Sequence, residues 1–123
     1  MIPTTLVVGG SATEREAAIA SLLLAPLYHQ SKVAILLEGM SNGQPLITAD
    51  AQRLLARIAS GCLCCGNNMI MRVHLNRLIA QQPDYLFISL ARQDHLEQVS
   101  AFLSTGGYQH KLALLSPRQL HSA

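Results

Sequence analysis

Cys62, Cys64 and Cys65 stand together in the run Gly61-Cys62-Leu63-Cys64-Cys65-Gly66, and the chain has no other cysteine. Thiolates are soft ligands that favour Zn(II), Cu(I) or iron–sulfur units. Three thiols this close can share one ion, and the flanking glycines let the backbone turn the sulfurs inward. Zinc normally takes four ligands. The fourth can come from water, from Glu38, from a histidine such as His74, or from a second copy of the chain. An odd, clustered set cannot build a disulfide framework. It reads as metal binding or redox chemistry in a reducing compartment, hence a cytoplasmic protein. Against this stands the plainer reading of free cysteine as a small buried hydrophobe. One cysteine would merit that reading; three in a glycine-flanked loop favour chemistry.

The other groups able to do chemistry carry less. His29, His74, His95, His110 and His121 are scattered, whereas ligand histidines come in spaced sets. They read as surface or internally satisfied residues, with His74 set apart by its closeness in sequence to the cysteines. Glu38 is a loop-end carboxylate, either solvated or a ligand. Met69 and Met71 adjoin the cysteines but read as core packing. No Ser/His/Asp set has local support, and no third group is seen to orient a Cys/His pair. No residue is assigned a catalytic role.

A second pattern begins at Gly9-Gly10. A phosphate-cradling loop follows a first strand, opens a helix and has the form G-x-x-x-x-G-K-[ST]. Counted from Gly9, the second glycine, the lysine and the hydroxyl fall on Glu14, Arg15 and Glu16. Two carboxylates then stand where phosphates would enter. Unit charges about 4 Å apart repel by about 1 kcal/mol in water and several-fold more in a drier site. The same residues satisfy a helix start: Ser11-x-x-Glu14 and Thr13-x-x-Glu16 both match the capping box, and acids there suit the helix dipole. Gly9 and Gly10 are what is left of a phosphate loop, and the helix end is expected to be satisfied internally.

The elements that must position these groups follow from hydrophobic patterning. Thr4–Val8, Lys32–Leu37, Tyr85–Leu90 and Lys111–Leu115 read as short buried strands. Helices are expected over Ser11–Leu24 (largely buried, and ended by Pro26), over about Ala49–Ala59, from an Asn67 or Asn68 cap to about Gln82, and over Asp94–Leu103, which Gly106-Gly107 follows. Gly39–Pro45 reads as a loop, and the cysteine run as a loop between two helices. Buried strands alternating with helices imply an α/β fold: a mostly parallel sheet of about four strands with helices on both faces. Ligands bind such sheets at the carboxyl ends of the strands, where Gly9-Gly10, Glu38-Gly39 and Ala91-Arg92 fall.

The chain has 123 residues, half of them apolar, which suits one domain with one core. A net charge of +2 with 13% charged residues gives no basic stripe for nucleic acid. The longest apolar stretch, Ala17–Ala25, falls far short of the roughly 20 residues of a membrane span, and the N-terminus does not read as a secretory signal.

With these residues in place, the chain resembles the N-terminal domain of the CobW/UreG/HypB-type P-loop GTPases, specifically the CobW-like metallochaperones. The resemblance rests on Ile2-Pro3-Thr4-Thr5-Leu6-Val7-Val8-Gly9 and on Glu38 of an Asn-Glu or Asn-Asp pair after the second strand, whose first position is Leu37 here. It rests further on Gly61-Cys62-Leu63-Cys64-Cys65 and on Pro83-Asp84-Tyr85-Leu86-Phe87-Ile88. It departs at Glu14, Arg15 and Glu16, and at Ser89-Leu90-Ala91-Arg92, where the family has a Glu-Thr-(Thr/Ser)-Gly switch. The family's guanine reader has no counterpart. The resemblance implies a single truncated P-loop-like domain, residues 1–123, with degenerate nucleotide motifs. The family implies GTP-driven metal delivery coupled to metal at the cysteines; with the departures, the expectation is a non-catalytic protein that binds zinc or another soft divalent ion through Cys62, Cys64, Cys65 and Glu38 in metal homeostasis. Its partner would be a second copy or a metal-receiving protein, and GTP is not expected as a cofactor. A residual nucleotide-binding protein or weak GTPase, and a pseudo-GTPase scaffold, are the alternatives.

Overall fold

The computed structural model describes residues 1–39, 45–58, 69–91 and 96–120. Among these residues six strands form one parallel sheet: β1 (Ile2–Gly9), β2 (Val33–Glu38), β3 (Arg53–Ile58), β4 (Tyr85–Leu90), β5 (Leu112–Leu114) and β6 (Arg118–Leu120). Among them, too, are the α-helices α1 (Ala12–Leu22), α2 (Pro26–His29), α3 (Met69–Ala80) and α4 (Leu96–Leu103). The order across the sheet is β3-β2-β4-β1-β5, with β6 continuing the edge beside the far half of β1. The expected α/β architecture is present, with six strands rather than four and a P-loop-compatible layout.

The central strands β1, β2 and β4 are buried on both faces because their apolar residues alternate between two cores. Leu6 and Val8 of β1, Ala34 and Leu36 of β2, and Leu86, Ile88 and Leu90 of β4 pack with Met71, Leu75 and Leu78 of α3 and Val99 and Leu103 of α4. Val7, Val33, Ile35, Leu37 and Phe87 face the other way, against Ile19, Leu23 and Ile47. Runs such as Val33-Ala34-Ile35-Leu36-Leu37 are apolar without a break because each successive side chain finds a hydrophobic layer. Among the described residues no helix is long and apolar enough to cross a membrane.

Four expectations change. The helix expected over Ala49–Ala59 is the edge strand β3. Arg, Leu and Ala favour helix by propensity, but residues 53–58 pair in register with the whole of β2, Val33 to Glu38. Their side chains also divide with period 2, Leu54, Ala56 and Ile58 toward one core and Leu55 toward the other. The cysteine run therefore connects a strand to a helix, from Ile58 to Met69, rather than two helices. The first helix is shorter and less buried than its apolar composition implies: Leu24 is 75% exposed. Pro26, besides stopping α1, opens α2 at a position where its missing N–H costs nothing. The edge segment near the C-terminus breaks into β5 and β6, both parallel to β1. The Gly39–Pro45 loop, Asn67, Asn68 and the start of the Asp94–Leu103 helix lie wholly or largely outside the described residues.

Glu16 fastens α1 to β3. Its carboxylate accepts from Arg57 Nη1 and Nη2 at 2.8 and 2.9 Å and from the backbone amides of Leu46 and Ile47 at 2.8 and 2.9 Å. Only the Ser11/Glu14 register makes a capping box; Glu16 is taken by this more distant clasp. The Arg57 hydrogen bonds, with those from the amides, outweigh burial and hold the Glu16 carboxyl down from 4.5 to about 2. A drop of that size corresponds to roughly 3 kcal/mol in favour of the folded state. Because the folded value lies below the unfolded one, this contribution is full above pH 4.5 and is lost as the pH falls toward 2. Glu16→Gln is expected to cost about 3 kcal/mol at pH 7 in urea unfolding, where it also leaves Arg57 without its carboxylate partner. The gap between variant and wild type should close through that acid window. Gly9, with φ +88°, sits where an added Cβ would overlap the Leu120 carbonyl oxygen. Gly9→Ala is expected to cost about 2 kcal/mol or more by the same measurement, through strain at a positive φ and loss of β6 pairing.

Candidate functional site

The carboxyl ends of β1, β2 and β4 meet at one side chain. Arg15 lies in the first turn of α1, which Ser11 caps: its Oγ accepts from Glu14 N at 3.0 Å while Glu14 Oε1 accepts from Ser11 N at 2.8 Å. That local closure directs the next residue across the sheet end. The Arg15 guanidinium donates through Nε to Ser89 Oγ at 2.7 Å, through Nη1 to the carbonyls of Gly10 at 2.8 Å and Gly9 at 3.2 Å, and through Nη2 to the carbonyl of Glu38 at 3.0 Å. The residue is 2% exposed. Burial lowers its pKa, while the carboxylates of Glu38 and Glu14 push it upward; a guanidinium keeps its proton in such a setting.

Gly9 and Gly10, read from the sequence as what is left of a phosphate loop, give their carbonyls to this arginine. Gly9 and Gly10 both have positive φ, +88° and +62°, and their carbonyls accept from Arg15. Gly39, at φ +95°, comes close enough that a Cβ there would lie 3.5 Å from Arg15 Nη2. A phosphate cradle turns backbone N–H groups toward its ligand. Here carbonyl oxygens converge on the centre, an arrangement suited to a cation, and the chain's own guanidinium is that cation.

Glu38 ends β2 and is 1% exposed. Its Oε1 accepts from Ala91 N at 2.7 Å, which ties the ends of β2 and β4. Next to it, Gly39 N donates to the Ile58 carbonyl at 2.9 Å. The segment that carries the cysteines thus leaves β3 beside Glu38. Cys62, Cys64 and Cys65 themselves lie outside the described residues, as do His95, Arg92 and His121. His74 is half-buried on α3, Met71 is a core residue and Met69 is exposed. His29 closes α2 and His110 lies in the short turn before β5. Among the described residues no three His, Cys, Asp or Glu side chains stand close enough together to hold a metal ion.

Sequence reasoning places Gly9, Gly10 and Glu38 at the strand ends but assigns no partner to Arg15, Ser89 or Arg57. A faint signal exists for Ser89, the only hydroxyl inside the apolar run Leu86-Phe87-Ile88-Ser89-Leu90. A buried strand keeps such a group only with a polar partner. Nothing local marks Arg57, whose partner is 41 residues away.

No family model matches the chain, and no solved structure matches it. Over 81 residues the chain is 36% identical to the zinc chaperone YeiR of Escherichia coli (strain K12), an alignment that takes in 60% of this chain and 25% of that protein. The chain spans about a quarter of the length of the curated relative it matches. It is similar, in that part, to a protein that handles zinc.

Proposed function

We propose that this chain is a CobW-like, non-catalytic, cytoplasmic protein that carries zinc as cargo on Cys62, Cys64 and Cys65. The observation that carries this reading is the 36% identity to a zinc chaperone. The donor set supports it independently. Three clustered thiols suit a soft or borderline divalent ion, and such ligands bind as thiolates, so uptake releases protons. Glu38 supports it by place: a buried carboxylate at the sheet end from which the cysteine segment departs. Three thiolates and one carboxylate would complete the four-coordinate set that zinc favours. Delivery then means transfer of the ion to a protein with a better ligand set. Arg15 fills the strand ends where a nucleotide would be expected, which fits a carrier that does not use one.

Metal analysis of reduced protein decides the reading. One zinc per chain is expected, bound at micromolar or tighter affinity in competition with a chromophoric chelator. Binding should protect all three thiols from alkylation. The Cys62→Ser, Cys64→Ser, Cys65→Ser triple variant should hold none, and Glu38→Gln should bind about tenfold more weakly. Half a zinc per chain, with a dimer that chelators dissociate, would place the fourth ligand in a second copy and retain the reading for the cysteines. Reduced protein that holds no zinc, or a triple variant that holds as much as the wild type, overturns it.

A further inference from the structure

Arg15 and Glu16 are adjacent, both buried, oppositely charged, and bonded to different parts of the fold. Arg15 gives four hydrogen bonds to the ends of β1, β2 and β4 and to the glycine turn beyond β1. Glu16 receives four, two from the amides of Leu46 and Ile47 and two from Arg57 of β3. Between them they reach the carboxyl-end halves of four strands and the segment that precedes β3. They sit at the positions of a phosphate loop whose lysine and hydroxyl would hold phosphate and magnesium.

We infer that Arg15 and Glu16 are a built-in ligand: they fasten from within the strand ends that a phosphate loop fastens through a bound nucleotide and its metal ion. The contacts have the required signs. A guanidinium with five N–H donors meets four acceptors, so its burial is compensated. The Glu16 carboxylate, whose two oxygens offer about four acceptor sites, meets four donors. A phosphate group arriving at Gly9-Gly10 meets carbonyl oxygens already committed to Arg15. It also meets a Ser11 amide already taken by Glu14 Oε1 and the charges of Glu14 and Glu38. The site is thus closed to nucleotide by occupation as well as by the loss of a motif, and the sheet end keeps one conformation with or without nucleotide in solution. The inference does not depend on the cysteines or on their metal.

Thermal unfolding of the whole chain tests it. Wild-type Tm is expected to stay put in millimolar Mg-GTP, Mg-ATP or inorganic triphosphate. Arg15→Ala is expected to lower Tm by about 10 °C or more, since it strips two buried and two partly buried acceptors of their donor. Millimolar guanidinium ion should restore several degrees to that variant, relative to sodium chloride at equal concentration, and none to wild type. If Arg15→Ala fails to fold in buffer alone, the same contrast is read as recovery of the folded state on adding guanidinium. Arg15→Lys, which keeps the charge but not the planar fork, should fall between the two. Stabilisation of wild type by any of the phosphates overturns the inference. So does a variant that guanidinium cannot rescue, or an Arg15→Lys chain as stable as wild type.

Discussion

A buried guanidinium sets the terms for this fold. Removing a charge from water is costly, and it persists in an interior only when its hydrogen-bonding groups are met. Arg15 meets that condition by drawing on backbone carbonyls of Gly9, Gly10 and Glu38 and on the hydroxyl of Ser89, which belong to three strands far apart in sequence and to the turn after the first. Those strands must end at matching heights for the fork to reach them. The parallel register that aligns Val8 with Leu90 and Leu37 with Ser89 provides this. The same demand explains the glycines. Gly9 and Gly10 turn at positive φ, which aims their carbonyls at the arginine, and Gly39 leaves room for Nη2.

Glu16 extends the arrangement to the sheet edge. An edge strand is held by hydrogen bonds on one side only, and β3 has a sequence that would serve as well in a helix. Its place is fixed by its full-length pairing with β2 and by Arg57, which the Glu16 carboxylate holds through a two-point contact. Such forked pairs constrain direction as well as distance. Arg57 is followed by Ile58, and the cysteine-bearing segment begins at the next residue. The clasp therefore fixes the point and the strand direction from which that segment departs.

Much of this was legible in the sequence. The apolar runs announce buried parallel strands, and Ser11 and Glu14 announce the start of α1. What was illegible shares one cause: dependence on partners distant along the chain. Residues 49–59 look helical because Leu54, Leu55 and Ile58 fit a helical face as well as an alternating one, and only β2 decides between them. Glu16 looks like a second capping box because its true partners, at Leu46, Ile47 and Arg57, have no local signature. Arg15 looks like a damaged lysine position, whereas its hydrogen bonds make it the central cation of the sheet end. The cysteines give the complementary case: the expectation placed on them rests on residue type and spacing alone, and they lie outside the described residues.

The two readings together constrain how a zinc cargo would be released. A carrier can let go of its metal because it changes state, or because the acceptor binds more tightly. A ligand shifts an equilibrium between states only through its different affinity for them. With Arg15 and Glu16 holding the strand ends from within, nucleotide has no second state there to select, and a cycle of loading and hydrolysis has nothing to act on. Release then falls to ligand exchange at the thiolates, where an incoming donor displaces one sulfur at a time and the ion moves down a gradient of affinity. Such a carrier needs clustered, accessible, exchangeable thiols and a scaffold that stays the same throughout. On the proposed reading, this combination would give a physical reason for a chain to carry Cys62, Cys64 and Cys65 together with Glu14, Arg15 and Glu16.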